Sequence, residues 1–499
     1  MKSDEKVINI KKGTSYLSEV IKELPSGCIL NKGITGCGGT TVEIDSKRNS
    51  IILVPTKNLV LNKVKQKNIF GVTGDVKEKE ILEYLEKTKI KKIIATYDAL
   101  SKLIYIIGPK IYLDYFLLID EYHILFNSYS FRRRPIRYIL NNYAKFDKFC
   151  FMTATPLKGK KLLEELYHLP IISYDWEGAN KVDITIKDCA FIQKELVQEI
   201  YKAKDYNLHI FVNSVNFIKR VVKQLDNGID YRVICSEKAA ETMTSINVQS
   251  INSEVRNINF YTSTAFEGCD IYDEKGMSII VSDSDISTTI LDITTLVIQI
   301  CGRLRNSIYK DKLLMLLNTR KHRYCGNSKE EFLEKVAENK LLGSNTEKMF
   351  NEEDDWFRIK ELRAYTESKF GSFYIIKENE KLIFDNNLMN IDLENYDIIN
   401  SIYETNISVL NEVVRTDKFN VEESSIKKLD DISIEILKAT DIMKEYTYDE
   451  LVMLITPILE NRNIKINITT VGKAVSSIMS KKRKTTNGKK QMTYKLNLR

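Results

Sequence analysis

Leu117-Leu118-Ile119-Asp120-Glu121-Tyr122-His123 is an apolar run that ends abruptly in two adjacent carboxylates. A short uninterrupted apolar run suits a strand buried on both faces, and open α/β sheets bind ligands at the C-terminal ends of such strands. At that edge Asp120 has the chemistry to hold Mg²⁺ directly or through water, and Glu121 to polarise an attacking water. A solvated acidic pair at a strand end would look the same, so the reading needs support from the rest of the chain. SIILV (50–54), KIIA (92–95), YFLLI (115–119) and FCFM (149–152) read as further buried strands, separated by stretches of helical period. The pattern pauses at 168–178, where Leu169-Pro170 and polar residues suggest a linker. It resumes with strands at 209–212, 232–235, 259–261 and 278–281. Alternation of this kind predicts parallel sheets flanked by helices, here two lobes spanning 1–175 and 180–325.

Ahead of the first strand pair lies Gly33-Ile34-Thr35-Gly36-Cys37-Gly38-Gly39-Thr40-Thr41. Its spacing fits the loop G-x-x-x-x-G-K-[ST], whose backbone N–H groups cradle phosphates at a helix N-terminus. Thr40 stands where a hydroxyl would bind Mg²⁺, but Gly39 stands where the motif has lysine. A flexible strand–helix turn is the plain alternative for a glycine-rich loop on its own.

Further blocks follow in order: Met152-Thr153-Ala154-Thr155-Pro156, then Thr264-Ala265-Phe266-Glu267-Gly268-Cys269-Asp270, then Gln299-Ile300-Cys301-Gly302-Arg303-Leu304-Arg305-Asn306. With these blocks in this order the chain resembles a superfamily 2 DNA or RNA helicase of the DExH type, over about 310 of its 499 residues. The resemblance implies two RecA-like lobes, ATP and Mg²⁺ as cofactors, and a nucleic-acid partner. It places Gly33, Thr35, Gly36, Gly38, Gly39, Thr40 and Thr41 on the phosphate loop, and Gly268 and Asp270 with the nucleotide. It makes Asp120 and Thr40 the metal residues, Glu121 the water-activating residue, and Thr153 and Thr155 the coupling element. Gln299 and Arg303 match the block that reaches the γ-phosphate, with Arg305 as the second arginine. Relatives commonly carry that second arginine one position later, where this chain has Asn306. An arginine supplied to phosphoryl transfer in this way is worth roughly 10³–10⁵ in rate.

Nucleic-acid contacts map by the same resemblance. Pro55-Thr56-Lys57 and Thr96 match the first lobe's backbone-binding blocks, and Asn213-Ser214 and Ser263-Thr264 match their counterparts in the second. Hydroxyls, amides and N–H groups at loop tips suit phosphates without reading bases. Arg132-Arg133-Arg134 with Arg137 forms a basic cluster whose plainest reading is a solvated face.

Gly39 leaves three outcomes open. A nearby lysine, with Lys32 as the candidate, substitutes for the missing one; or nucleotide binds with weak hydrolysis; or the core is a retired ATPase kept as a nucleic-acid clamp. No glutamine precedes the loop (the first is Gln66), so adenine selection by an upstream glutamine is not indicated.

Beyond 330 the period is helical to about 430, with an acidic patch at 351–355 and no chemistry-bearing motif. The segment 431–499 reads as a separate basic unit. Thr447-Tyr448-Asp449-Glu450 fits a capping box, ahead of Leu451, Leu454, Ile455 and Ile458 at helical spacing. Pro457 is expected to kink or shorten that helix. Val471, Val475 and Ile478 share a face of a second short helix. Asn487-Gly488 is a strong hairpin signal, and Met492, Tyr494, Leu496 and Leu498 alternate on the return strand. Helices followed by a basic hairpin resemble a winged helix–turn–helix, which implies Lys473 on the recognition helix and Lys481, Lys482, Arg483, Lys484, Lys489 and Lys490 on the wing. A basic disordered tail and a protein-docking winged helix remain as alternatives.

Charge placement agrees with a polyanion at this end. The net charge is +7, and 461–499 holds eleven Lys or Arg and no acid, which leaves −4 (7 less 11) for the rest. Eight scattered cysteines without CxxC spacing argue against zinc and are expected as small buried apolar residues. No stretch reaches the roughly 18 apolar residues of a bilayer span, and MKSDEKVINIKKG has no secretory apolar core, so a cytoplasmic protein is expected. The functional expectation is an ATP-dependent helicase or translocase in DNA metabolism, replication first, with a non-catalytic DNA-binding scaffold as the rival and an RNA helicase as a third reading.

Overall fold

The computed structural model describes residues 5–64, 69–157, 162–189, 191–243, 246–266, 270–319, 329–352, 374–378, 381–403, 406–416, 418–421, 436, 439–440, 446–461, 471, 474–475, 479–486 and 489–496. The chain divides into two compact units, Met1–Ala179 with Cys325–Asp397, and Asn180–Tyr324 with Ile398–Arg499.

The first unit is built on eight strands: β1 (Glu5–Ile10), β2 (Cys28–Asn31), β3 (Ser50–Val54), β4 (Phe70–Val72), β5 (Lys92–Thr96), β6 (Phe116–Asp120), β7 (Lys148–Thr153) and β8 (Ile171–Trp176). They form one sheet in the order β1-β8-β2-β7-β6-β3-β5-β4, with every neighbouring pair parallel. β3, β5 and β6 are buried at every residue, as their unbroken apolar runs require when helices cover both faces. The segment 168–178 departs from its reading as a linker. Ile171–Trp176 is a strand inserted between β1 and β2, and Tyr174 and Trp176 are buried against the sheet. Pro170 sits just before it, where its missing N–H removes no ladder bond and its carbonyl still accepts from Ile29 at 2.9 Å.

The second unit repeats the plan with β9 (Val182–Asp188), β10 (Asn207–Phe211), β11 (Tyr231–Ile234), β12 (Ile258–Tyr261), β13 (Gly276–Asp283) and β14 (Lys312–Asn318). The stretch expected as one helical region is divided. The helix Lys329–Glu352, the hairpin of β15 (Ile375–Glu378) and β16 (Lys381–Phe384), and the helix Asn386–Asp397 belong to the first unit. β17 (Phe419–Val421) instead adds to the second sheet, whose all-parallel order is β11-β12-β10-β13-β14-β9-β17.

The C-terminal part carries β18 (Tyr446–Thr447), the helix Tyr448–Glu460, β19 (Met479–Thr486) and β20 (Lys489–Leu496), in an antiparallel sheet of order β18-β20-β19. The capping box forms: Thr447 Oγ1 accepts from Glu450 N at 3.3 Å, and Glu450 Oε2 accepts from Thr447 N at 2.9 Å. The helix, expected to be kinked or shortened by Pro457, continues past it to Glu460. The carbonyl that loses its donor belongs to Met453, which is 80% exposed and so has water within reach. Asn487-Gly488 and Lys473 lie outside the described residues. No helix among the described residues is long and apolar enough to cross a membrane.

Candidate functional site

Topology brings the first unit's sequence blocks together. β7 lies between β2 and β6, with Asn31 opposite Thr153 and Asp120 opposite Met152, so the C-terminal ends of three adjacent strands share one edge. The phosphate-type loop leaves β2 there and enters the helix Gly39–Asp45. Gly33, Gly36 and Gly38 have φ of +79°, +76° and +78°. At Gly33 a side chain is excluded twice over, since a Cβ would lie 2.2 Å from the Tyr174 carbonyl oxygen and 2.6 Å from the Trp176 ring. Thr35 and Gly36 lie on the loop, and Thr40 and Thr41 in the first turn of the helix.

Thr40 Oγ1 donates to Asp120 Oδ2 at 2.6 Å, and both side chains are buried. Lys32 Nζ donates to Glu121 Oε1 at 2.9 Å and lies 3.7 Å from Asp120 Oδ1. Burial alone would drive the Lys32 ammonium toward its neutral form, but attraction from Glu121 and Asp120 outweighs it and raises the pKa above the usual lysine value. Glu121 adopts φ +53°, a left-handed conformation uncommon outside glycine, which turns the chain sharply off the end of β6. Thr153 Oγ1 donates to Glu121 Oε2 at 3.2 Å, accepts from Thr155 N at 3.1 Å and lies 3.3 Å from Thr155 Oγ1. The block expected to couple the site to movement thus touches the Glu121 carboxylate directly.

Three participants escaped sequence reading. His123 is fully buried, with Nδ1 2.8 Å from Thr153 Oγ1 and 3.4 Å from Glu121 Oε2. Its signal was its place two residues after the acidic pair. Tyr97, next to Thr96, donates from its hydroxyl to the Asp120 carbonyl at 2.7 Å. Trp176 Nε1 donates to the Lys32 carbonyl at 2.8 Å, and nothing marked it because it falls in the supposed linker.

Gln299 and Arg303, in the second unit, pair with each other. Arg303 Nε donates to the Gln299 carbonyl at 2.8 Å and Nη2 to Gln299 Oε1 at 2.9 Å, both residues being buried. Arg305 instead binds Asp270, with Nε–Oδ1 2.7 Å. Gly268 lies outside the described residues.

The blocks expected to meet nucleic acid also fall at strand ends. In the first unit Thr56 caps the helix Lys57–Lys63, Lys57 pairs with exposed Asp75 at 2.8 Å, and Thr96, buried, ends β5. Arg132 donates to the Pro55 carbonyl and to Asp98. In the second unit Asn213 and Ser214 follow β10, while Ser263 and Thr264 follow the adjacent β12, and Ser263 N donates to Asn213 Oδ1 at 3.2 Å. Together with Ser236, Thr262 and Thr288, which sequence reading did not pick out, they line a cavity of about 290 Å³. The expected solvated face at 132–137 is partly engaged. Besides Arg132, Arg133 and Arg137 approach buried Asp385 at 3.7 and 3.9 Å, and Tyr129 donates to Asp385 at 2.9 Å. These contacts seat the helix Asn386–Asp397 on the first unit. In the C-terminal sheet Lys482, Arg483 and Lys484 lie on β19, and Lys489 and Lys490 on β20. Lys481 is exposed, its Nζ 5.9 Å from the Tyr494 ring centroid.

No family model matches the chain. No curated protein matches it either. Solved structures do. Mycobacterium smegmatis helicase Lhr bound to ssDNA and AMP-PNP is similar at 14% identity and TM-score 0.42, over 62% of this chain and 45% of that one, so this chain spans under half of Lhr. Mss116p bound to ssRNA and AMP-PNP is similar at 12% identity and TM-score 0.43, over 82% of this chain and 92% of that one. RecG bound to a three-way DNA junction is similar at 15% identity and TM-score 0.38, over 69% and 44%. Likenesses this distant leave residue roles to be argued from the chain's own geometry. Two successive all-parallel sheets, with the ordered blocks of each unit at its own strand ends, give the chain a tandem RecA-like fold.

Proposed function

We propose that the chain is an ATP-dependent helicase or translocase that acts on DNA, with replication as its setting. The observation that carries the reading is the 2.6 Å contact between Thr40 and Asp120, which sets a hydroxyl and a carboxylate side by side at the mouth of a phosphate-type loop. Two hard oxygen ligands next to a phosphate cradle fit Mg²⁺, which takes few protein ligands and completes its shell with water and phosphate oxygens. The metal, when bound, neutralises charge on the phosphates. The chain's own residues do the rest. Loop N–H groups bind phosphate oxygens, Glu121 orients the attacking water, and Thr153 fixes the rotamer of Glu121 through the 3.2 Å hydrogen bond. Gln299, Arg303 and Arg305 are assigned to hydrolysis in the same proposal, and Gly268 and Asp270 to nucleotide binding.

The cavity at Asn213, Ser214, Ser263 and Thr264 suits a backbone phosphate, because its lining is uncharged and rich in N–H and O–H donors. For the C-terminal part the proposal is a winged helix. The helix Tyr448–Glu460, the helical residues at 471 and 474–475, and the basic hairpin of β19 and β20 support it, and it favours DNA over RNA. A second reading, a non-catalytic DNA-binding scaffold or initiator, is favoured by Gly39 in the lysine position. DNA-stimulated ATPase of the wild type and of Glu121→Gln separates the two. A wild type that turns over ATP while the variant does not supports the motor, and two equally inactive proteins support the scaffold. Duplex DNA and RNA compared as stimulants decide the substrate class.

A further inference from the structure

We propose that the lysine of the phosphate site has moved from the helix to the start of the loop: Lys32, the residue after β2, supplies the ammonium that contacts the terminal phosphates of the nucleotide. This deepens the nucleotide reading above and rests on it.

Three observations carry the inference. The first is where Lys32 stands. Its N donates to the Thr153 carbonyl at 2.8 Å, and its own carbonyl accepts from Trp176 Nε1 at 2.8 Å and from Ile34 N at 3.0 Å. The backbone is thereby held between the coupling strand and the loop. The second is where the side chain goes. Lys32 is 6% exposed, and its Nζ reaches Glu121 at 2.9 Å and Asp120 at 3.7 Å, the carboxylates at the metal end of the site. A buried lysine is ordinarily costly, and this one is set beside two acids.

The third is what has happened at Gly39. A Cβ there would lie 2.8 Å from Met152 Sδ, 3.2 Å from Met152 Cε and 3.4 Å from Lys32 Cδ. The room that a side chain at 39 would enter is filled by the Met152 thioether and the stem of Lys32. Glycine at 39 and lysine at 32 are therefore two halves of one rearrangement, in which the ammonium comes from the other side of the same loop. Delivery from outside the helix is chemically adequate, since protein kinases hold ATP phosphates with a strand lysine that also pairs with a glutamate.

The rival role for Lys32 is a counter-ion that only neutralises Glu121 and Asp120. Removing Lys32 alone would leave those acids unpaired and destabilise the fold in either case. The experiment therefore compares Glu121→Gln with the double variant Lys32→Met/Glu121→Gln, in which both members of the closest pair are gone. Equilibrium binding of ATP and of adenosine to the full chain is measured, with thermal unfolding recorded alongside. The transposed lysine predicts that the double variant binds ATP about 10- to 100-fold more weakly than Glu121→Gln, the size of one charge-assisted hydrogen bond, with adenosine unchanged. Equal ATP affinity in the two variants overturns the proposal and leaves Lys32 as a counter-ion. An equal loss for adenosine also overturns it, because that reports a damaged pocket. If neither the wild type nor Glu121→Gln binds ATP, the nucleotide reading itself fails and takes this inference with it.

Discussion

Both units place a hydroxyl at the N-cap of the helix that follows a central strand. Thr56 does so after β3 and Ser214 after β10, each accepting from the N–H three residues on at 3.3 Å. Their surroundings differ. In the first unit the neighbouring groups are already engaged within the unit: the Pro55 carbonyl with Arg132, Lys57 with Asp75, and, between the ends of β2 and β6 in the same sheet, Thr40 with Asp120 and Lys32 with Glu121. In the second unit Asn213, Ser214, Ser263 and Thr264 line a cavity that contains no acid and no base. One edge is built from opposed charges, which suits a metal and a polyphosphate. The other is built from neutral donors, which suits a single phosphate diester. The same fold, used twice, is tuned electrostatically on one sheet and by hydrogen bonding on the other.

That contrast can be broken or sharpened by substitution. The largest effect is expected at Glu121. Glu121→Gln keeps the shape of the side chain and removes its basicity, so DNA-stimulated turnover in a steady-state ATPase assay falls by about 10²–10⁴-fold. Turnover retained within tenfold would mean that the charged edge is structural. Next comes Thr153→Val, which preserves volume while removing the hydrogen bonds that Thr153 Oγ1 makes with Glu121 Oε2 and the Thr155 N–H. Two buried polar groups left without this partner cost about 1–3 kcal/mol, read as a lower denaturation midpoint.

A matched pair, Thr56→Ala and Ser214→Ala, tests the comparison itself. Each removes an N-cap and costs about 0.5–2 kcal/mol of stability. Single-stranded DNA binding by fluorescence anisotropy is expected to weaken severalfold more for Ser214→Ala, because only Ser214 faces the neutral cavity. Equal losses would erase the distinction drawn here.

The smallest effect concerns pH. His209 is buried in the second unit, with Nε2 2.9 Å from Asp273 and Nδ1 2.9 Å from the Tyr261 hydroxyl. Burial lowers its pKa more than hydrogen bonding and attraction from Asp273 raise it, and Arg232 adds to the lowering. The unfolded chain therefore takes up a proton before the folded one does. Stability from this group is complete above the ordinary imidazole value of about 6.5 and is lost as pH falls below it. Asp273, whose pKa is lowered chiefly by its hydrogen bonds to His209 and Asn207 against an opposing burial effect, adds a loss of the same sign only in the carboxylate range. His209→Gln is expected to flatten unfolding midpoints between about pH 5 and 7, a window set by the ordinary imidazole value.

What the letters disclosed follows a physical division. β3, β5 and β6, buried at every residue, and β7, buried from Cys150 onward, were legible because a strand buried on both faces is largely apolar. The loop, acidic pair and Thr153-Ala154-Thr155 block were legible because phosphate chemistry restricts residue type and spacing. β8 was hidden because Pro170 and Asp175 look like loop residues until Ile29 is known to lie alongside. The division of the stretch after 330 was hidden for the same reason. Tyr129 and Asp385 are 256 positions apart, and no local period reports such a bond. At the site, residue types were readable but partners were not. Lys32 was a candidate by proximity, while its engagement of Glu121 and the crowding at Gly39 emerge only in three dimensions.

The strand at 171–176 has a consequence for how the protein is made. Gly33 is shaped by the Tyr174 carbonyl and the Trp176 ring, and Trp176 also anchors the carbonyl of Lys32. On a ribosome, the glycine-rich loop emerges some 140 residues before the strand that shapes it, and translation at about 5–20 residues per second makes that interval many seconds. The glycine-rich loop thus takes its final form only after a strand made much later in the chain, a long-range dependence of the kind that slows folding.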